Sequence, residues 1–263
     1  MEGDEPTKVV TFLVVSCDKY SDIWPVFFQQ MSRNWPDCPY QVCLLTNELD
    51  FQFNGVTVIK TGPDIDYSTQ VRCAVESIKT PWLILWLEDC VFSERINSAR
   101  VEKIVQSAIE INAGYLKLSD DYPLSYDETG SSEFGPTPRN VRYRSAVGMA
   151  LYRRDTLLKL FPPGLSAWEL DKSSRSNQLS DSFYCLTLGA AKQPPLPYVN
   201  TVIKGRWYLP AIPFLKEIGF GNAIPFRKRQ SIKEFLACKV FVIWVEILKM
   251  FRIHWFDSSS KVD

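Results

Sequence analysis

The stretch Trp82-Leu83-Ile84-Leu85-Trp86-Leu87-Glu88-Asp89 decides the fold, because an apolar run changes to two acidic residues in one step. Six consecutive apolar residues after Pro81 are typical of a strand covered on both faces, as in a parallel sheet. In open α/β folds, ligands bind at the edge formed by the carboxyl ends of such strands. Two carboxylates there suit a divalent cation, Mg²⁺ or Mn²⁺, which can hold a diphosphate. A solvated strand end or a helix N-cap is the alternative explanation.

Composition narrows the classes of protein. The chain has 263 residues, of which 46% are hydrophobic and 23% charged, which is enough for one large α/β domain or a domain with an appendage. Thirty basic residues balance thirty acidic ones, so no global basic field indicates a nucleic-acid partner. Seven scattered cysteines and a single histidine, His254, provide neither a zinc-binding set nor a Cys-His or Ser-His catalytic set. The acidic start, Met1 to Pro6, predicts no signal peptide, which favours the cytosol.

Strand and helix patterns alternate along the chain. Strands are predicted at residues 9–15, 40–45, 56–59, 82–87, 115–118, 145–152 and 198–203. Helices are predicted at residues 22–35, 68–78 and 101–111, with a short one from Asp155 to Leu160. Residues 120–142 have the composition of a loop or lid, and residues 162–189 are polar. The alternation predicts an α/β fold with a Rossmann-like, mostly parallel sheet flanked by helices.

The C-terminal region has a different pattern. Arg227-Lys228-Arg229 precedes a capping box from Ser231 to Glu234, which predicts the start of a helix. The helix has a wide apolar face, made up of Leu236, Val240, Ile243, Trp244, Ile247 and Phe251. Lys239 and Glu246 leave the apolar run too short to span a bilayer comfortably, whereas the basic start and the aromatic residues suit the membrane interface. Packing on the protein's own core or on a partner subunit is the alternative.

Several motifs in a fixed order cover residues 8–208. They are Ser16-Cys17-Asp18-Lys19-Tyr20, Trp35-Pro36-Asp37-Cys38-Pro39-Tyr40, Tyr67-Ser68, Trp82 to Asp89, Ala167-Trp168-Glu169-Leu170 with Arg175-Ser176, and Val202-Ile203-Lys204-Gly205-Arg206-Trp207. Together they resemble bacterial glycosyltransferases with a GT-A-type nucleotide-sugar-binding fold. The resemblance is to the small enzymes of polysaccharide and lipopolysaccharide assembly, such as those for O-antigen and capsule.

The resemblance implies a site for the nucleotide-sugar donor. The first loop would hold the nucleotide, and Glu88 and Asp89 would take the place of the family's acidic D-x-D-type motif as ligands of a divalent cation. Arg72 is preferred over Gln70 as a contact for the diphosphate, because a diphosphate favours a guanidinium fork. The full predicted donor-binding set is Ser16, Cys17, Asp18, Tyr20, Ser68, Arg72, Glu88, Asp89, Trp168, Lys204 and Arg206.

The chemistry of glycosyl transfer accounts for these residue types. Negative charge develops on the departing diphosphate, and in an inverting reaction a carboxylate must take the proton of the acceptor hydroxyl. Glu169 is the predicted base, because the indole of Trp168 can stack on a sugar and exclude water, which raises a carboxyl pKa. A solvated acid at a helix start is the alternative for Glu169. Asp171 and Asp181 are the second-rank candidates for the base.

The sequence therefore predicts an enzyme that moves a sugar from a nucleotide-sugar, with a UDP-sugar favoured, to a lipid-linked or glycan acceptor. Residues 1–226 would form the catalytic domain. Residues 227–263 would form a helix and tail that attach a cytoplasmic protein to the inner face of the cytoplasmic membrane. A non-catalytic nucleotide- or carbohydrate-binding protein of the same fold is the rival. A sugar-nucleotide nucleotidyltransferase is disfavoured, because no glycine-rich phosphate loop follows the first strand.

Overall fold

The computed structural model describes residues 9–127, 132–222 and 227–256. Their strands are β1 (Val10–Val15), β2 (Gln41–Thr46), β3 (Val56–Lys60), β4 (Trp82–Leu87), β5 (Cys90–Phe92), β6 (Tyr115–Lys117), β7 (Phe134–Pro136), β8 (Ala150–Arg153), β9 (Phe183–Leu186), β10 (Tyr198–Asn200), β11 (Val202–Ile203) and β12 (Arg206–Trp207). Eight of these form one sheet in the order β3-β2-β1-β4-β8-β6-β9-β7. The pairs β5–β10 and β11–β12 form two small antiparallel sheets.

The large sheet is mostly parallel. Strands β3, β2, β1 and β4 run in one direction, and β6 and β9 share it, because β8 is antiparallel to both β4 and β6. Strand β7 is antiparallel to β9. The carboxyl ends of six strands therefore meet at one edge, and the predicted α/β fold with a mostly parallel sheet is confirmed.

Helices cover both faces of the sheet. They are α1 (Trp24–Asn34), α2 (Tyr67–Ser77), α3 (Ser98–Glu110), α4 (Arg154–Leu160), α5 (Ala167–Asp171), α6 (Leu188–Ala191), α7 (Ala211–Glu217) and α8 (Ile232–Met250). Alternate residues of β1 enter opposite cores: Phe12 packs with α1 and α3, and Leu13 packs with α2 and α4. Burial on both faces explains the unbroken apolar runs of β1 and β4, since alternation appears only where one face meets water.

Several element predictions need correction. The strand predicted at 145–152 is the shorter Ala150–Arg153 and runs antiparallel. The last predicted strand, 198–203, divides into β10 and β11, and neither belongs to the large sheet. Strands β5, β7, β9 and β12 were not predicted. Strand β7 lies inside the predicted loop 120–142, of which residues 128–131 are outside the described part. Asp155 lies in the first turn of α4, and Arg153 is its N-cap.

Helix α8 begins at the predicted capping box, in which Ser231 and Glu234 exchange hydrogen bonds. It contacts the rest of the protein, residues 9–222, hereafter called the body, through a narrow stripe. In this stripe, Val245 and Leu248 pack with Tyr122 and Val141. The outward surface is apolar and exposed, and each residue of the predicted apolar face is at least 39% exposed. No helix among the described residues is long and apolar enough to cross a membrane.

Candidate active site

Glu88 and Asp89 lie at the carboxyl edge, directly after β4. Glu88 is only 6% exposed, and Asp89 is half-buried. Burial raises the pKa of Asp89 to about 6. Burial and then the neighbouring Asp89 raise the pKa of Glu88 well above its ordinary value, and a hydrogen bond from Ser16 opposes that shift. Two adjacent carboxyl groups, one buried and one half-buried, favour a positive charge beside them.

Arg227 supplies positive charge at this edge. Its side chain is 11% exposed, and its charge lowers the pKa of both Glu88 and Asp89. Four hydrogen bonds hold the guanidinium: two to the carboxylate of Asp22, one to the carbonyl oxygen of Gly205 at 3.2 Å and one to that of Lys19 at 3.2 Å. Arg227 therefore ties the loop after β1 to the turn between β11 and β12.

Ser16, Cys17 and Tyr20 of the loop after β1 lie within the electrostatic influence of the acid pair. The hydroxyl of Ser16 accepts a hydrogen bond from the indole N–H of Trp24 at 2.7 Å. The ring of Tyr20 lies 4.6 Å from the guanidinium carbon of Arg227. Burial raises the pKa of the Cys17 thiol to about 11, so it stays protonated at neutral pH.

Asp18 has a structural role in this loop. Its carboxylate accepts backbone N–H groups of Asn47, Glu48 and Leu49 at 3.0, 3.0 and 3.1 Å. These bonds fasten the loop after β2 to the loop after β1, which brings the polar ends of two adjacent strands together.

A cleft of about 400 Å³ is lined by Tyr143, Trp168, Asp171, Lys172 and Lys204. Trp168 is 56% exposed, and the Lys204 ammonium lies 5.8 Å from the centre of its ring. The structure thus brings together two residues of the predicted donor-binding set, Trp168 and Lys204, with Asp171.

Asp171 connects the cleft to the acid pair. Its Oδ1 accepts the backbone N–H of Val147 at 3.0 Å, and the Tyr67 hydroxyl donates to the carbonyl of the same Val147 at 3.0 Å. Burial, followed by the charges of Asp171, Glu88 and Asp89, raises the pKa of Tyr67 well above its ordinary value. Gly148, next to Val147, packs against the side chain of Leu87, the residue before Glu88. Lys204 of the cleft precedes Gly205, whose carbonyl oxygen accepts a hydrogen bond from Arg227. These contacts bring the cleft near the acid pair.

The physical basis for Glu169 as the base is absent. Its carboxylate accepts the N–H and the hydroxyl of Ser166 at 2.8 and 2.6 Å in a capping box. These bonds lower the pKa of Glu169, whereas the prediction required the indole of Trp168 to raise it. Burial raises the pKa of Asp171 to about 6 instead. The raised pKa expected of a base is therefore found at Asp171, two residues after Glu169.

Asp181 lies at the other edge of the sheet. It precedes β9, next to Gly114 at the amino end of β6. Its carboxylate pairs with Arg153 and Lys159 and accepts the Thr156 hydroxyl at 2.8 Å. This placement separates Asp181 from Glu88 and Asp89 and removes it from the candidates for the base.

Three predicted donor contacts are held elsewhere. The guanidinium of Arg72 donates to the carbonyl oxygens of Leu158 and Phe161 at 2.6 and 3.2 Å and so caps the end of α4. Ser68 is fully buried and bonds to the loop before α5, accepting the N–H of Leu165 at 2.9 Å. Arg206 pairs with Glu234 of α8 at 3.2 Å. The contacts of Arg72 and Ser68 serve packing, and that of Arg206 anchors α8. The arginine whose charge acts on the acid pair is Arg227, whereas Arg72 was predicted to contact the diphosphate.

The acid pair fits a divalent cation shared with a ligand. The described residues contain no group of three or more His, Cys, Asp or Glu side chains that could enclose a metal ion. Mg²⁺ keeps several waters and commonly binds through one or two carboxylates together with substrate phosphates. Glu88 and Asp89 match this pattern.

No protein-family model matches the chain, and no curated protein matches it in sequence. Among solved structures, residues 1–349 of TarS from S. aureus are similar, with a TM-score of 0.45 and 10% identity over 68% of this chain and 60% of that one. The same protein in complex with UDP-GlcNAc gives a TM-score of 0.41, with 10% identity over 68% and 58% of the two chains. The bifunctional IspDF from Campylobacter jejuni gives 0.40, with 9% identity over 72% and 52%. At these identities the likeness concerns the fold alone, and the chain spans about 60% of the TarS fragment.

The buried charge of Asp171 predicts a pH-dependent effect on stability. Its pKa is about 6 in the folded protein and 3.8 ordinarily, so above pH 6 its ionised form destabilises the fold, while below pH 4 it is protonated in both states. Asp171→Asn keeps an acceptor for Val147 and removes the charge. We expect a higher melting temperature than wild type at pH 8 and a difference that disappears as the pH falls to 4.

Asp155→Asn is the control with the opposite sign. The Arg153 side chain lowers the pKa of Asp155, so its charge stabilises the fold at neutral pH. This variant should melt below wild type at pH 8. A destabilised Asp171→Asn at pH 8 would contradict the assignment of a buried, costly charge.

Proposed function

We propose that the protein is a glycosyltransferase that moves a sugar from a nucleotide-sugar, with a UDP-sugar favoured, to an acceptor bound in the cleft. One observation carries the proposal: the Glu88–Asp89 pair, whose carboxyl pKa values the charge of Arg227 lowers, lies near a cleft that contains an exposed indole and a carboxyl group with a raised pKa. Charge for a diphosphate, an aromatic surface for a sugar and a proton acceptor lie side by side. Transfer between a sugar diphosphate and a hydroxyl requires these three components.

On the donor side, Arg227 meets the diphosphate. The four hydrogen bonds that hold its guanidinium limit rearrangement when charge develops on the leaving group, which is how preorganised groups lower a barrier. Tyr20 packs against the guanidinium and confines it. Glu88 and Asp89 would hold a divalent cation, Mg²⁺ or Mn²⁺, which when bound supplies further positive charge for the leaving diphosphate.

On the acceptor side, Asp171 takes the proton of the attacking hydroxyl. A carboxyl with a pKa of about 6 is mostly ionised at pH 7 and accepts a proton more readily than one at 3.8. The N–H of Val147 orients one of its oxygens. Trp168 offers its exposed indole as a stacking surface for the acceptor sugar.

The setting we propose is bacterial surface polysaccharide synthesis on a lipid-linked or glycan acceptor. The outward surface of α8 is apolar, and the exposed basic residues near it include Lys228, Arg229, Lys233 and Lys239. An apolar surface with basic neighbours fits an anionic membrane, where each basic residue contributes about 1 kcal/mol. We therefore place the enzyme on the inner face of the cytoplasmic membrane, without a nucleic-acid partner.

The donor site can be tested with a screen of nucleotide-sugars, with and without Mg²⁺ or Mn²⁺, for hydrolysis and for thermal stabilisation. Asp89→Asn should lower turnover by about 10²-fold or more, because it weakens the site that would hold the divalent cation. Arg227→Gln should have an effect of similar size, because it removes positive charge that meets the diphosphate. Glu94→Gln, an exposed acid after β5, is the matched control and should retain activity. Nucleotide-sugar binding without any turnover would instead support the non-catalytic rival.

The identity of the base can be tested with two variants two residues apart. Asp171→Asn should lower kcat by about 10²-fold or more with little change in donor KM, because it removes the proton acceptor. Glu169→Gln should stay within about twofold of wild type, since that side chain caps α5. The reverse order of the two effects would restore Glu169 as the base.

Membrane attachment needs a test that leaves the body intact, because truncation after Phe226 would also remove Arg227. Ile243→Glu combined with Ile247→Glu changes two exposed residues of α8. We expect the double variant to lose most of its binding to phosphatidylcholine vesicles with 30 mol% phosphatidylglycerol, while donor hydrolysis continues. Ile65→Glu, which alters an exposed apolar residue on the body, should bind like wild type. Equal vesicle binding by all three proteins would exclude α8 as the attachment surface.

A further inference from the structure

Glu88 and Asp89 form the turn that joins β4 to β5, and these two strands belong to different sheets. The backbone of Asp89 has therefore left the large sheet, so contacts outside that sheet hold it in place. Those contacts come from Thr201, which lies between β10 and β11 and is fully buried. Its backbone N–H and its hydroxyl both donate to the carbonyl oxygen of Asp89, at 2.8 and 2.9 Å. A carbonyl oxygen has two acceptor positions, and one residue supplies the donor for each of them.

The pairing of β5 with β10 brings Thr201 to Asp89. Cys90, the residue after Asp89, pairs with Asn200, the residue before Thr201. The Sγ atom of Cys90 lies 3.2 Å from Oδ1 of Asn200 and 3.7 Å from Oδ1 of Asp89. The carboxylate of Asp89 thus contacts the same strand pair that delivers Thr201 to its carbonyl oxygen.

Thr201 also connects Asp89 to the hairpin formed by β11 and β12. Its carbonyl oxygen accepts the backbone N–H of Tyr208 at 2.8 Å, which closes the open end of the hairpin. The turn at the other end contains Gly205, whose carbonyl oxygen accepts a hydrogen bond from Arg227 at 3.2 Å. The candidate cation ligand and the arginine proposed to meet the diphosphate are therefore attached to opposite ends of one hairpin.

We propose that Thr201 is a positioning residue of the donor site, whose two hydrogen bonds fix the backbone of Asp89 and thereby the carboxylate that would bind the divalent cation. The inference deepens the proposed function and rests on it, because it concerns the cation of the same site. The Thr201 hydroxyl is shielded from water, so without it the carbonyl oxygen keeps the N–H bond alone. Replacing a residue that orients a metal ligand changes metal affinity by about 10–100-fold.

The test measures Mn²⁺ binding to the full chain in the presence of UDP, from the electron paramagnetic resonance signal of free Mn²⁺ and without turnover. Thr201→Val keeps the shape of the side chain and the backbone N–H but removes the hydroxyl. We expect this variant to bind Mn²⁺ roughly 10-fold more weakly than wild type. Thr201→Ser retains the hydroxyl and should stay within about threefold of wild type. In donor hydrolysis, Thr201→Val should raise the apparent KM for Mn²⁺ more than it lowers kcat.

Thr11→Val is the control for the loss of a buried hydroxyl elsewhere in the fold. Thr11 is fully buried near the amino end of β1, and its hydroxyl bonds to that of Thr80 at 2.8 Å. Both valine variants should melt at a lower temperature than wild type, because each loses one buried hydrogen bond. Only Thr201→Val should lose Mn²⁺ affinity, which separates a role in the cation site from a general role in stability.

Wild-type Mn²⁺ affinity in Thr201→Val would overturn the inference, and so would an equal loss of affinity in Thr11→Val or in Thr201→Ser. A wild-type protein that hydrolyses a nucleotide-sugar without binding Mn²⁺ would overturn it as well, while leaving the proposed function in place. The proposed function fails in a different way, through the absence of UDP binding and of donor hydrolysis in wild type, and that result would overturn both.

Discussion

The burial of two adjacent carboxyl groups at the end of β4 is the constraint around which the site is arranged. Burial raises the energy of the ionised form of both groups, and the charge of Asp89 adds to that cost for Glu88. The surrounding structure compensates in part, through the Ser16 hydroxyl and the Arg227 guanidinium. Arg227 is itself held by Asp22, which belongs to the loop after β1. The loop after β1, the end of β4 and the turn between β11 and β12 are thus connected through a single cluster of charges.

The sequence predicts best those strands and helices whose apolar pattern extends over many consecutive residues. Strand β1 has six buried residues, β4 has five of six, and α1 buries an apolar stripe, so their patterns extend over enough residues to be recognised. Strands β5 and β7 have three residues each, which is too short for any periodicity. The antiparallel direction of β8 leaves no trace in its composition, because it depends on which neighbours it pairs with. These features are set by tertiary packing rather than by local propensity.

The candidate site shows the same division. Glu88 and Asp89 follow a recognisable strand, so their place at the carboxyl edge could be predicted. Arg227 could not, since its partner Asp22 lies 205 residues away in sequence. The choice between Glu169 and Asp171 depends on which side of a short helix faces the body. One signal for it was present in the sequence: Ser166 and Glu169 have the spacing of a capping box, which assigns Glu169 to the helix terminus.

The attachment of α8 to the body has a consequence for the geometry of the enzyme on a surface. Backbone hydrogen bonds join Trp207 to Lys228 and Gln230, and Arg206 pairs with Glu234, so α8 starts without a flexible linker. A flexible tether would raise the local concentration of substrate and allow every orientation. A helix fixed to β12 allows one orientation, so with α8 on a lipid surface the cleft would lie at a set height above it. The cleft would reach acceptors whose reacting hydroxyl lies at that height, but not those extended by further sugars. The rigid attachment of α8 would thus select acceptors by their length.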